Sequence, residues 1–159
     1  MRFNKIKEND IANGDGINVS LYTQGCPHHC KGCFNKETWD FDGGEIWTKE
    51  HNEKIVELLT INNVNRNLSI LGGEPLCEQN IKEVLALCKY VKEKLPKTII
   101  YVWTGYLYEE LVNKYSETIF QNIDVLIDGE FEEENKRENL KLRGSTNQRI
   151  VYLNKDMIS

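Results

Sequence analysis

Between residues 68 and 127 the hydrophobic period of the chain switches four times, and this alternation restricts the fold more than any other feature of the sequence. Leu68-Ser69-Ile70-Leu71 is a short buried-strand pattern. From Glu78 onward Ile81, Val84, Leu85, Cys88, Val91 and Leu95 recur at helical spacing, and Pro96 stops the run. Residues 98–103 are β-branched and aromatic with almost no polar interruption, as in a strand covered on both faces. Tyr108, Leu111, Val112, Tyr115 and Ile119 mark a second helix, and Ile123-Asp124-Val125-Leu126-Ile127 a further strand. This order predicts βαβ units, hence an α/β fold with a mostly parallel sheet and right-handed crossovers.

The flanks extend the pattern. Ile17-Asn18-Val19-Ser20-Leu21 alternates apolar and polar, the period of a half-buried strand. Residues 1–16 read as polar and end in the turn signal Asn13-Gly14-Asp15-Gly16. Thr48 is placed to cap a helix with Ile55, Leu58 and Leu59 on one face, residues 62–67 are a polar break, and residues 149–153 suit a last strand. With no repeat or linker, residues 1–159 read as one domain. A domain of this size buries roughly 70% of its unfolded surface and needs no disulfide staples.

Parallel sheets take ligands at the carboxyl ends of their strands, and the unusual stretches of this chain stand there. Gly25 and a cysteine loop follow the first strand, Gly72-Gly73-Glu74-Pro75 the second, Thr104-Gly105 the third and Asp128-Gly129 the fourth. One site holding a metal and a polar ligand is expected at that edge. The loop runs Gly25-Cys26-Pro27-His28-His29-Cys30-Lys31-Gly32-Cys33-Phe34-Asn35, so three thiols fall within eight positions. A structural zinc site needs a fourth ligand, for which His28, His29 and Cys77 are candidates. An iron-sulfur cubane held by three cysteines leaves one iron open to a small molecule. Cys88 lies on the apolar face of its helix and reads as core, Cys77 as packing, and the two histidines as solvated loop residues or partner contacts.

Charge and composition narrow the partners. A net charge of −5 with 20 basic residues and no basic stripe argues against a nucleic-acid footprint. No apolar run approaches the ~18 residues of a membrane span, and the polar start has no signal-peptide core, so the expected location is the cytoplasm. Five clustered cysteines suit reduced thiols better than a secreted disulfide framework. Glu130, Glu132, Glu133, Glu134, Lys136, Arg137 and Glu138 form a charged run that reads as a solvated loop with a possible docking role. Residues 143–149 are candidates for contact with cofactor or partner, and Trp39 for closing the cysteine loop.

The spacing CxxxCxxC with Gly-Gly-Glu-Pro some forty positions on resembles the radical S-adenosylmethionine enzymes. Within them, Gly14-Asp15-Gly16 and Cys33-Phe34-Asn35 look like the subgroup that activates glycyl-radical enzymes. Asn35-Lys36-Glu37-Thr38-Trp39, Trp103-Thr104-Gly105-Tyr106, Val125-Leu126-Ile127-Asp128-Gly129 and Arg143-Gly144-Ser145-Thr146-Asn147-Gln148 are similar to the activating proteins of anaerobic ribonucleoside-triphosphate reductases. Asn18 stands where this group often carries a basic residue, and Tyr22 where it often carries Phe.

The resemblance implies an incomplete (β/α) barrel of the radical S-adenosylmethionine type; a full barrel of about 250 residues does not fit this length. It further implies an oxidoreductase in which Cys26, Cys30 and Cys33 ligate a 4Fe-4S cluster whose fourth iron binds S-adenosylmethionine. Reduction by a low-potential donor such as flavodoxin or ferredoxin would cleave the sulfonium. The 5′-deoxyadenosyl radical would then take hydrogen from a glycine of the large reductase subunit, leaving a glycyl radical. Gly72, Gly73, Glu74 and Pro75 would lie on the methionine amino group, Gly32 and Phe34 beside the adenosyl group, and Thr104 and Asp128 near the ribose or carboxylate. The alternatives are an activase of another glycyl-radical enzyme, a small iron-sulfur electron carrier, or a zinc-stabilised adaptor.

Overall fold

The computed structural model describes residues 1–157. Its strands are β1 (Arg2–Asp10), β2 (Asn18–Gln24), β3 (Glu45–Ile46), β4 (Asn67–Gly72), β5 (Ile100–Trp103), β6 (Val125–Asp128) and β7 (Arg149–Tyr152). The helices are α1 (Lys49–Thr60), α2 (Ile81–Lys94) and α3 (Tyr108–Tyr115). All seven strands join one sheet in the order β3-β1-β2-β4-β5-β6-β7. The four central strands β2, β4, β5 and β6 are parallel, and β1, β3 and β7 pair antiparallel at the margins.

The βαβ expectation holds because each helix carries one apolar stripe that the sheet covers. Ile55, Leu58 and Leu59 of α1, Val84, Leu87, Cys88 and Val91 of α2 and Leu111 of α3 are buried with Val19, Leu21, Leu68, Ile70, Ile100, Val102 and Leu126. These strand residues alternate along their strands and so share one face of the sheet. The opposite face carries a smaller apolar group, Tyr101, Val125 and Ile127 with Trp103, Leu142 and Ile150, which contains no helical residue. The second predicted helix stops early: Ser116 adopts φ +104, and residues Glu117–Phe120 continue as a 3₁₀ turn.

Two differences from the sequence reading concern the N-terminal third. Residues 1–16 are not merely polar, because β1 occupies most of them. Its register against β2 shifts between Phe3 and Lys5 and again between Lys7 and Asp10. Such irregularities break the period-2 alternation by which a strand is recognised. The second difference is β2, which is buried along its whole length rather than on one face. Most of its polar groups find internal partners: Ser20 Oγ donates to Asp10 Oδ2 at 2.7 Å, Thr23 Oγ1 to the Leu71 carbonyl at 3.1 Å, and Gln24 Nε2 to the carbonyls of Glu37 and Asp40, while the buried Asn18 Oδ1 and Gln24 Oε1 accept from no protein donor among the described residues.

Asp10 fixes the β1–β2 turn over the helix-free face. Its carboxylate accepts from Ser20, from Asn13 Nδ2 at 2.7 Å and from the Ala12 amide at 2.9 Å. Burial acts to raise its pKa, but these bonds and the Lys7 charge outweigh it and hold the group below the ordinary carboxylate value. Asp10 therefore contributes stability that is present above the unfolded pKa and lost as pH falls through the folded one. Ser20→Ala is expected to cost about 2 kcal/mol at neutral pH, the worth of a hydrogen bond to a buried charged group. Urea unfolding should show that penalty shrinking as pH falls from the unfolded-state pKa of about 4 towards the lower pKa of the folded carboxylate.

Candidate iron-sulfur site

The carboxyl ends of the four parallel strands open into one cleft of about 450 Å³. From each strand end comes part of its lining: Cys26, Cys30, Cys33 and Phe34 after β2, Gly72, Gly73 and Glu74 after β4, Thr104 and Gly105 after β5, and Gly129 after β6. The segment between β6 and β7 closes the far wall with Phe131, Leu140, Leu142, Arg143 and Gly144, and Trp103 Nε1 anchors it by donating to the Leu142 carbonyl at 2.8 Å. The four strand-end motifs are thus brought together as the topology requires.

Gly32, Pro75 and Asp128 do not line the cleft. Gly32 adopts φ +76, and a side chain there would strike Glu133. Pro75 is buried in the turn behind the cleft. Asp128 is fully buried, and its carboxylate accepts from the Tyr108 amide at 2.8 Å and from Arg149, whose guanidinium also holds Glu109. Its observed contacts pin β6 to α3 and β7. Arg149 likewise belongs to this pin rather than to the cleft, whereas Arg143, Gly144 and Gln148 do line it.

The base of the cysteine loop is sewn to its surroundings by backbone bonds. The Gly25 amide donates to the Thr38 carbonyl at 2.6 Å, Cys26 to Trp39 at 3.1 Å, and the Glu74 amide to the Gly25 carbonyl at 2.8 Å. This proximity explains the glycines of the β4 turn. A Cβ on Gly72, at φ +107, would lie 2.7 Å from backbone atoms of Thr23, and one on Gly73 2.4 Å from the Gly25 carbonyl oxygen. Both positions need glycine for backbone-to-backbone packing against the end of β2, before any ligand is considered.

All three sulfurs face backbone amides: Cys26 those of His28 and His29, Cys30 that of Phe131, and Cys33 that of Asn35 at 3.4 Å. Amide donors of this kind tune thiolate-bound iron. Burial raises the Cys26 thiol above its ordinary pKa, and burial together with the adjacent Glu130 carboxylate pushes Cys30 up to about 11. A ligating metal displaces such protons. Among the described residues, no three His, Cys, Asp or Glu side chains converge as ligands of one ion would. The zinc candidates have other partners: His28 is bonded to Glu74, His29 stacks on Trp39 with rings 4.5 Å apart, and the Cys77 thiol donates to the Glu74 carbonyl at 3.2 Å. Three sulfurs with amide donors, at the mouth of a cleft and without a fourth protein ligand, fit a cluster with one open iron.

The comparisons point to the same kind of centre. The family of 4Fe-4S single cluster domains matches residues 12–151, so the chain is a 4Fe-4S single cluster domain over most of its length. The chain is 39% identical over 154 residues to the anaerobic ribonucleoside-triphosphate reductase-activating protein of Salmonella typhi, covering 96% of this chain and 99% of that one. The corresponding protein of Escherichia coli K12 is 36% identical over the same span, and that of Enterobacteria phage T4 35% identical over 150 residues, or 94% and 93% of the two chains. The chain belongs to the family of anaerobic ribonucleoside-triphosphate reductase-activating proteins. No helix among the described residues is long and apolar enough to cross a membrane.

Sequence reasoning missed the role of two groups. His28 is not a solvated loop residue: its side chain is only 10% exposed, and Nε2 lies 2.7 Å from Glu74 Oε1. Nothing in its residue type distinguishes it from the exposed His29; only the fold does. Glu74 was expected to face the cofactor, yet its fully buried carboxylate is consumed by four donors. Oε1 accepts from His28 and from the Gly105 amide at 2.7 Å, and Oε2 from Thr104 Oγ1 at 2.7 Å and the Leu76 amide at 2.9 Å. Thr104 lines the cleft with its hydroxyl proton already committed to Glu74.

Each oxygen of Glu74 thus has a backbone donor that cannot turn away. A glutamine would have to present its NH₂ to one of them. Glu74→Gln is therefore expected to lower the stability of the metal-free protein by about 2 kcal/mol or more, the cost of unpaired buried donors. Equal thermal stability of the two proteins would contradict the carboxylate's role as a four-donor anchor.

Proposed function

We propose that the protein activates an anaerobic ribonucleoside-triphosphate reductase as a radical S-adenosylmethionine enzyme. The observation that carries this reading is the opening of Cys26, Cys30 and Cys33 onto the same cleft as the Gly72-Gly73 turn. Family membership supplies the partner. In this reading the three sulfurs would hold a 4Fe-4S cluster, whose open iron would bind S-adenosylmethionine. Such a cluster, when reduced, supplies reductive cleavage of the sulfonium to a 5′-deoxyadenosyl radical, which takes hydrogen from a glycine Cα of the large reductase subunit.

The protein's own residues have defined tasks. The bare backbone at Gly72 and Gly73 admits the methionyl end close to the sheet, and Glu74 and Pro75 hold that turn in place. Phe34, 61% exposed and packed on Phe131 with centroids 5.1 Å apart, offers a flat surface at the mouth for the adenosyl group, and Gly32 keeps the approach to the third cysteine free of a side chain. Thr104 contributes its hydroxyl oxygen to the wall. Asp128 acts through the α3–β7 pin. The helix-free face of the sheet supports the architecture of an incomplete (β/α) barrel, formed by residues 1–159 as one domain, whose open side receives the glycine loop of the partner. A low-potential donor such as flavodoxin or ferredoxin would deliver the electron in the cytoplasm.

The test is anaerobic. Reconstituted, reduced protein is expected to release 5′-deoxyadenosine from S-adenosylmethionine, and addition of the large reductase subunit is expected to produce a glycyl-radical signal by electron paramagnetic resonance. Cys26→Ala, Cys30→Ala and Cys33→Ala should each abolish both. An intact reduced cluster that yields neither product would reject the radical mechanism and favour electron carriage.

A further inference from the structure

Among the described residues between Cys26 and Cys33, one side chain alone bonds to a fully buried group. Lys31 is 92% exposed and meets Glu133 only at 3.9 Å, and Cys30 faces the exposed Glu130 at 3.8 Å. His28, by contrast, reaches Glu74, whose carboxylate is shared with the ends of β4 and β5. Its ring also lies close against Gly105, where an added Cβ would come within 2.5 Å of Cδ2, and edge-on to Tyr106 at 4.6 Å. On the far side Nδ1 stands 3.5 Å from Glu130 Oε1, after β6. One imidazole therefore touches all three of the other strand ends.

We infer that His28 is a positioning residue that locks the cysteine loop in register with the Gly72-Gly73-Glu74 turn, so that cluster and S-adenosylmethionine sites share one fixed geometry. The inference rests on the proposed function for its ligand, and on the geometry above for the lock itself. Backbone bonds at Gly25 and Cys26 hold only the base of the loop. Beyond them the loop carrying Cys30 and Cys33 is tied to the buried interior through His28. Cutting that tie leaves the three thiols, which are local to the loop, able to gather iron. What it removes is the fixed distance to the turn on which the methionyl group would sit.

Three variants separate the possibilities. His28→Ala removes the tie. Gly105→Ala keeps the imidazole but pushes it off Glu74. His28→Gln retains an N–H donor at the position of Nε2. In the metal-free protein, amide hydrogen exchange over residues 26–33 is expected to quicken about tenfold in His28→Ala and Gly105→Ala, one hydrogen bond's worth, and to return towards wild type in His28→Gln. In the reconstituted, reduced protein, the S-adenosylmethionine concentration that produces half of the change in the paramagnetic resonance spectrum should rise about tenfold in the first two variants at unchanged iron content. Gly105→Ala should add nothing in the His28→Ala background, because the two changes break the same contact. Wild-type exchange in His28→Ala or Gly105→Ala overturns the lock, and quickened exchange with an unchanged titration overturns its link to the ligand. If wild-type protein with an intact cluster shows no response to S-adenosylmethionine, the proposed function fails, while loop exchange still decides whether His28 is the lock.

Discussion

The geometry of the cleft depends on one buried carboxylate. Glu74 has no solvent to satisfy it, and an isolated charge in such a place is costly unless it is fully hydrogen-bonded. It takes donors from its own turn, from two consecutive residues after β5 and from the cysteine loop. Three loops that leave three different strands are thereby drawn to one point. A neutral residue could fill the space, but it could not oblige four donors from separate segments to agree on a single arrangement. The carboxylate acts chiefly on specificity of structure, with the desolvation cost met by charge-assisted bonds.

Around that point the sheet is arranged asymmetrically. Helices cover one face, and the opposite face carries Ser20 and Ser69 beneath the Asn13 turn and Tyr101, Trp103 and Ile127 further along. Two further acids pin the periphery. Asp124 accepts from Lys92 at 2.6 Å and from the Ile100 amide at 2.8 Å, tying α2 to the entry of β5, and Asp128 ties β6 to α3 and β7. All three acids sit where strands meet loops, because backbone amides at strand and helix ends lack partners within their own element.

The central parallel strands and their helices are legible in the sequence because burial on one stripe leaves a clean period. Ile81, Val84, Cys88 and Val91 repeat at helical spacing since one side of α2 meets the sheet. β1 was hidden because its register shifts destroy alternation, and β2 was underestimated because Ser20 and Thr23 look like surface residues until their partners 10 and 48 positions away are known. The same limit applies to the site. The cysteine spacing is local and can be read directly. The pairing of His28 with Glu74 spans 46 positions, and Asp128 turning to Arg149 spans 21, and no local pattern encodes either. Glycines 72 and 73 were recognisable as special, but the physical cause is the neighbouring strand end rather than a ligand alone.

Antiparallel strands at both margins of the parallel quartet have a consequence for exposure. A parallel sheet extends by further crossovers, each adding a strand and a covering helix, and β1 and β7 end that growth on both sides. The wall around the cysteines is therefore never completed: Cys30 and Cys33 remain partly exposed, and the aromatic ring of Phe34 stands in solvent. An opening that leaves two cysteines partly exposed also lets in small molecules, dioxygen among them. The fold alone does not screen a cluster on these cysteines from them.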